Sequence, residues 1–387
     1  FPVRASRIVR KAGRIIAIGG GKGGVGKSIV AICMGTELAR RGEKVVLADM
    51  DLGAANLHTY LGILGKTSSL ADFILGRVST LKEILLDTSV KNMRLISGSQ
   101  FLPGMANPAH WTKLKLMRHL QEIETDTLII DLGAGVHLNT LDFFGLSDMG
   151  VIVTMPEAGA VMNAYGFLKG ALYRKIQNVF KRHSGISSVM TEAVEKKDSE
   201  GDLNLEWFSQ KVEEFDPSLS ILITEIKESF TPFLVLNRIS NSQSSILVKN
   251  LLSLAKNRLG ISLEHLTDLP DSPEVRNYLL NVPEFLSTPA GRKYLFAIES
   301  IVDRMNRRQL KDKSKKMLKP IRHDFTDEEI EEVSRLVDRL DDHALGRSTR
   351  NQWKLRLFFK PFDVVQFLVH QGVDNPIFFD DLHENRR

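Results

Sequence analysis

The sequence predicts an α/β protein built on a doubly wound, mostly parallel sheet. Three observations carry that expectation. Short apolar runs recur through residues 14–154 without the alternation of strands that face water on one side. Longer segments of helical periodicity separate them. Glycines and aspartates cluster where the runs end, and open parallel sheets bind ligands beyond the carboxyl ends of their strands.

The elements follow in order. Arg14–Gly19, Lys44–Asp49, Met93–Ser97, Thr127–Asp131 and Gly150–Thr154 read as buried strands, and Lys27–Arg40 and Pro108–Glu122 as helices between them. The rhythm changes over 166–230, where a helical stretch, Tyr165–Arg182, leads into the polar run Glu192–Asp202 and an acidic amphipathic segment; this region is expected to be an insertion. The sheet pattern resumes with Pro232–Asn237, a helix over Ser244–Leu259 and a strand over His265–Leu269, and a closing helix runs from Thr288 to Arg307. The division expected is a basic arm at 1–13, a nucleotide-binding domain at 14–307, a basic linker at 308–322 and a small, mainly helical extension at 323–387. That extension opens on Thr326-Asp-Glu-Glu329, the pattern of a capping box.

Composition narrows the classes. At 43% hydrophobic and 26% charged residues, the chain is neither disordered nor a membrane span bundle; its longest weakly charged stretch, Met149–Tyr173, is interrupted by Pro156, Glu157 and Lys169. One cysteine, Cys33, excludes an internal disulfide framework and any cysteine-rich metal site made by one chain, and fits a reducing cytoplasm. It is expected to be a small core residue. The formal charge of +5 is unevenly spread. Arg4, Arg7, Arg10, Lys11 and Arg14 open the chain without an acid, residues 303–322 carry nine Lys/Arg against Asp303 and Asp312, and 324–342 reverse this with nine acids against Arg335 and Arg339. A charge run is most simply a solvated face.

The chemistry concentrates at Gly21-Lys-Gly-Gly-Val-Gly-Lys27-Ser28. This fits G-x4-G-K-[ST] after a strand and at the start of a helix, the context in which that pattern binds nucleotide phosphates. The backbone N–H groups of Gly21, Gly23, Gly24, Val25 and Gly26 would wrap a phosphate, the helix start at Lys27, Ser28 and Ile29 adds partial positive charge, Lys27 brings a full charge, and Ser28 is a Mg2+ ligand. Gly19 to Gly24 also fit G-x-G-x-x-G, with Asp49 in the place of a ribose ligand. A dinucleotide site has no use for the Gly-Lys-Ser that follows, so the triphosphate reading is preferred.

Further segments carry a resemblance. Lys22 makes Lys-Gly-Gly-Val-Gly-Lys-Ser similar to the deviant phosphate loop of the MinD/ParA ATPases. Leu47-Ala-Asp-Met-Asp51-Leu-Gly-Ala-Ala-Asn56 resembles that family's first switch, Leu128-Ile-Ile-Asp131-Leu-Gly-Ala-Gly135 its Walker B and second switch, and Met155-Pro156-Glu157 its Pro-Glu loop. Val235-Leu-Asn237-Arg238 and Leu269-Pro270-Asp271 resemble the two walls of its base pocket. The set covers about residues 13–305 in family order and lies nearest the MinD and FlhG (FleN) branch.

The resemblance implies a P-loop NTPase fold of the SIMIBI type that binds ATP or ADP with Mg2+ and forms a homodimer around ATP. It implies that Lys22 reaches the partner's phosphates, that Asp51 orients the attacking water, and that Ser28, Asp49, Asp51 and Asp131 surround the ion. Asn237, Arg238 and Pro270 would contact the base. Asp49 has the simpler reading of a strand-end cap and Asp131 that of a turn residue. The function implied is a dimerising switch that positions division or flagellar machinery, with a regulatory protein partner and a peripheral membrane contact. A ParA-like switch using its basic segments on nucleic acid is the alternative, with DNA the less favoured target. The iron–sulfur carrier branch needs a cysteine pair that this sequence lacks. The acidic run could instead fold back on the basic one as an internal regulator. His58 and the group Asn107–Trp111 are expected to be surface and helix-start residues.

Overall fold

The protein is described here from a computed structural model, which covers residues 11–65, 67–98, 110–180, 205–240 and 244–318, with a few positions between 186 and 192. Most of the basic arm, the group Asn107–Ala109, the polar middle of the insertion and the extension beyond 318 lie outside the described residues.

Eight strands form one sheet among the described residues, in the order β3-β4-β2-β5-β1-β6-β7-β8. They are β1 (Ala12–Gly19), β2 (Val45–Met50), β3 (Leu85–Asp87), β4 (Met93–Ile96), β5 (Thr125–Leu132), β6 (Met149–Thr154), β7 (Phe233–Ile239) and β8 (Glu264–Pro270). All pairings are parallel except that of β3 with β4. The seven predicted strands are present. The short antiparallel β3 is additional, because three half-exposed residues at a sheet edge carry no run to detect.

The central strands are apolar on both faces because both are covered. On one face α1 (Lys27–Arg40) buries Val30, Cys33, Met34 and Leu38 against β1, β2, β4 and β5, and each full burial of such a side chain contributes about 1.5–3 kcal/mol. On the other, α5 (Leu138–Gly145) and α6 (Ala158–Phe180) pack together and onto β1, β5 and β6. Neighbouring residues divide between the faces: Ile15 and Ala17 join the core under α5 and α6, while the equally buried Ile16 and Ile18 point the other way.

A buried ionic group joins three of the covering helices. Asp142 of α5 accepts from Arg174 of α6 at 2.7 and 2.9 Å, from Asn178 of α6 at 3.2 Å, and from Lys113 of α4 (His110–Gln121). Burial alone would raise its pKa, but the bonds from Arg174, Lys113 and Asn178 prevail and hold it down at about 2.

Two helical expectations change. The helix expected from Tyr165 begins at Ala158, directly after the Pro156-Glu157 turn, so the expected insertion at 166–230 starts inside a continuous 23-residue helix. It continues in α7 (Leu205–Phe215) and α8 (Pro217–Ser229), and all three helices lie in the crossover between adjacent parallel strands β6 and β7. The closing helix, Pro289–Leu318, passes the expected end at Arg307, so most of the expected linker at 308–322 is helical. By its contacts the chain divides into units of Phe1–Arg304 and Met305–Arg387. No helix of the described residues is long and apolar enough to cross a membrane.

Candidate nucleotide site

The sheet order assembles the site. β1 lies between β5 and β6, and β2 lies beyond β5, so the loop after β1 opens beside the ends of β2 and β5. Register then fixes the acids: Asp49 on β2 is the direct neighbour of Asp131 on β5, which places two carboxylates at adjoining strand ends on one face.

Three glycines of the loop, Gly20, Gly21 and Gly26, sit where no Cβ fits. A Cβ on Gly21 would lie 1.9 Å from the backbone oxygen of Asn163 on α6. Gly26 has φ +96°, and a Cβ there would meet Asn237 Nδ2 at 2.2 Å. Gly23 faces Ala134 of the second switch, Gly24 is open to solvent, and Val25 is buried. Since Gly26 is the N-cap of α1 and no side chain caps that end, the first amides of the helix, including those of Ser28 and Ile29, are left for an anion.

Lys27 is 8% exposed, and its Nζ donates to the carbonyl of Lys22 at 3.4 Å. Burial lowers its pKa against the opposing pull of Asp131 and Asp51. Asp49 and Asp131 are both nearly inaccessible. Burial, and then the charges of Asp131 and Asp51 on Asp49 and of Asp51 on Asp131, pushes both carboxyls well above the usual carboxylate range, although Ser28 and Lys27 favour ionised Asp131.

The two acids differ in what they have left to offer. Both oxygens of Asp49 are committed to the first switch: Oδ1 accepts from the Asp51 amide at 3.2 Å and Oδ2 from the Leu57 amide at 3.0 Å. Asp131 Oδ1 is buried without a hydrogen-bond partner. Asp51 accepts from the Ala54 amide at 3.2 Å and lies over Gly133 of the second switch. An orphaned carboxylate oxygen beside a second buried carboxylate, with Ser28 adjacent, is a donor set suited to a hard divalent cation. Among the described residues no three His, Cys, Asp or Glu side chains form a metal cage.

Lys22 stands at the rim. Its Nζ pairs with Glu157 Oε2 at 2.9 Å, with the two side chains 42% and 57% exposed. Asn237, expected to face a base, is 5% exposed and turned toward the loop. Its Nδ2 donates to the Val25 carbonyl at 2.9 Å, while Oδ1 accepts from the Arg238 amide at 3.0 Å and from the Tyr294 hydroxyl at 3.2 Å. Arg238 is exposed with φ +60°, and Pro270 is half-buried at the neighbouring strand tip, where β8 pairs with Ile239.

Tyr294 and Asn163 are site-supporting residues that the sequence does not announce. Tyr294 reads as an ordinary helix core position, and Asn163 acts through its backbone. Cys33 is fully buried, and burial pushes its thiol up. His58 is half-buried, with burial lowering its pKa. Trp111 is 80% exposed at the start of α4.

Comparison with known proteins places this geometry. Residues 11–177 match the family model described as ParA: NUBPL iron-transfer P-loop NTPase. The chain is 32% identical over 158 residues to the antiactivator FleN of Pseudomonas aeruginosa, covering 40% of this chain and 55% of that protein. It is 31% identical over 156 residues to the septum site-determining protein MinD of Thermotoga maritima, covering 39% and 56%. The chain thus spans about half the length of the curated relatives it matches. Its fold is shared with MinD of Pyrococcus horikoshii, solved with Mg-ADP, at a TM-score of 0.51 and 18% identity over 76% of this chain and 97% of that one.

Proposed function

We propose that this chain, whose residues 11–177 match the ParA P-loop NTPase model, is a nucleotide-driven switch: it binds ATP with Mg2+, pairs with a second copy, and hydrolyses the nucleotide to separate. The observation that supports this best is the meeting of an uncapped helix start, the buried Lys27 and the orphaned oxygen of Asp131 at one corner of the sheet. Loop amides and Lys27 would hold the phosphates, and Ser28 and Asp131 would hold the ion. Bound there, Mg2+ would neutralise charge on the β- and γ-phosphates.

Asp49 serves this site by fixing the first switch, through its bonds to the Asp51 and Leu57 amides. That places Asp51 over Gly133, where its free oxygen could orient a water for attack. Such positioning, with charge compensation, is the main demand of phosphoryl transfer. Asn237 acts as a strut for Val25; Arg238 and Pro270, at the two strand tips, are left to meet the base.

Pairing is supported by surface and charge. Val136, Leu138 at the start of α5 and Met162 of α6 are 52%, 60% and 57% exposed, an apolar group that a second copy would cover. Lys22, on the same rim, is held only by an exposed ion pair, an interaction of about 0–1 kcal/mol, so little opposes its transfer to a partner's phosphates. The cellular role that fits FleN- and MinD-like relatives is the placement of division or flagellar machinery, through a protein partner that stimulates hydrolysis.

Phosphate release from ATP tests this reading. The expected result is turnover that requires Mg2+ and rises faster than linearly with protein concentration, because the active form is a pair. A specific rate independent of protein concentration would remove the pairing, and the absence of turnover with Mg2+ would remove the enzymatic reading.

A further inference from the structure

A cavity of about 640 Å³ opens where β2, β4 and β5 begin, lined there by Lys44, Val45, Met93 and Thr125. The strands are parallel, so this is the end of the sheet remote from Asp49 and Asp131. Five residues of strand separate Lys44 from Asp49, about 16 Å at ~3.3 Å per residue. Any ligand here occupies a different place from a nucleotide on the phosphate loop.

Four cations, Lys44, Lys82, Lys91 and Arg94, line the cavity against Asp87 and Glu124. Arg94 lies on β4, and Lys44 and Lys91 lie just before β2 and β4, whose first residues Val45 and Met93 are register partners, so the three backbones fall within about 10 Å of one another. The nearby acids are mostly engaged. Glu124 pairs with Lys82 at 3.4 Å, Glu43 is held by Arg14 at 2.7 Å, and Asp126 accepts the backbone amide of Lys44 at 2.7 Å. Among the described residues no carboxylate lies within 4 Å of the side-chain nitrogens of Lys44, Lys91 or Arg94. Asp87, opposite Arg94 on β3, and Glu124 share this volume with them, so the cations outnumber the acids by two to one.

The turn that presents Lys91 is fixed in advance. The Thr88 hydroxyl donates to the Met93 carbonyl at 2.8 Å and accepts from the Val90 amide at 3.1 Å, and Asn92 takes φ +67° and accepts the Val45 amide through its carbonyl at 2.8 Å. Binding therefore orders side chains but little backbone. The volume lies within the ~300–1,000 Å³ of small-molecule sites and has room for more than one phosphate.

We propose that this cavity is a second anion site, taking a ligand that carries two or more adjacent phosphate groups. Lys44, Lys91 and Arg94, which have no ion pair among the described residues, repel one another, and an anion bridging them relieves that repulsion while forming charge-assisted bonds. A free phosphate chain and the diphosphate of a nucleotide share this chemistry.

The test uses the full chain with Lys27→Ala, which removes the main cation of the phosphate loop. Tripolyphosphate and ADP are titrated separately by calorimetry at low and moderate salt. One equivalent of at least one probe is expected to bind, with affinity falling steeply with salt and at least tenfold on adding Lys91→Glu, while Lys91→Arg retains it. Tighter binding of ADP identifies a nucleotide as the source, and tighter binding of tripolyphosphate a free phosphate chain. The proposal is overturned if neither probe saturates, or if Lys91→Glu leaves the affinity unchanged, which would assign the signal to the phosphate loop. Because Lys91 is exposed, the substitution does not endanger the fold.

Discussion

Replacing Asp131 by Asn should remove hydrolysis and at the same time stabilise the metal-free protein. Asp49 and Asp131 are register neighbours, both buried, and adjacent strands lie about 4.8 Å apart. Burial is the larger cause of both shifts, and two unit charges one strand spacing apart would add about 3 kcal/mol of repulsion at an effective dielectric constant near 20. Lys27 returns part of this, which leaves a net gain of roughly 1–2 kcal/mol for the amide. For a domain of this size that corresponds to a few degrees in Tm. The pH dependence carries a definite sign. Both carboxyls have folded pKa values raised above the unfolded value of about 3.9, so ionising them costs stability. The cost is absent below about pH 4, grows as pH rises towards the folded pKa, and is complete above it. Thermal denaturation in EDTA at pH 8 and pH 5 is the assay: Asp131→Asn should melt higher than wild type at pH 8, with the difference shrinking at pH 5. On adding Mg2+ and nucleotide, only the wild type should gain. A variant that melts lower than wild type at pH 8 without metal would refute the view that these acids are held in mutual repulsion for a cation.

Lys22→Ala should leave the unfolding free energy within about 1 kcal/mol of wild type, because its pair with Glu157 is exposed, yet abolish concentration-dependent ATP turnover; normal turnover would sink the role across the dimer. Gly21→Ala should prevent nucleotide binding, measured by fluorescent ATP titration, since its Cβ would lie 1.9 Å from the Asn163 backbone oxygen and the loop must move. Asp142→Asn should cost about 3–5 kcal/mol in urea unfolding by leaving Lys113 and Arg174 buried without a counter-ion. Because its folded pKa is depressed to about 2, the Asp142 contribution should be full above about pH 4 and disappear as pH falls through 2.

The parts of the site that repeat a local rule were readable from the sequence. Lys27–Arg40 has the expected bounds as a helix because the glycine that must take positive φ comes directly before it. The strand-end positions of Asp49 and Asp131 follow from apolar runs that stop there. What stayed hidden depends on tertiary neighbours. Asn237 could be placed near the nucleotide by resemblance, but its bonds to Val25 and Tyr294 join segments more than fifty residues apart. The division of labour between Asp49 and Asp131 rests on two amides of a loop whose path no periodicity fixes. The start of α6 at Ala158 was obscured by Ala158-Gly-Ala160, a weak helical signal that packing overrides. The cavity at the far end of the sheet gave no motif, since Lys44, Lys82, Lys91 and Arg94 are scattered in sequence and line one volume only in the folded chain.

Nucleotide state is expected to control pairing through this site. Sedimentation equilibrium measures that directly, on wild type and Lys22→Ala, each with Mg-ATP and with Mg-ADP. The expected outcome is a wild-type mass that doubles with Mg-ATP and returns to one chain with Mg-ADP, while Lys22→Ala remains a single chain in both. A wild-type mass that is the same in the two nucleotides would contradict it.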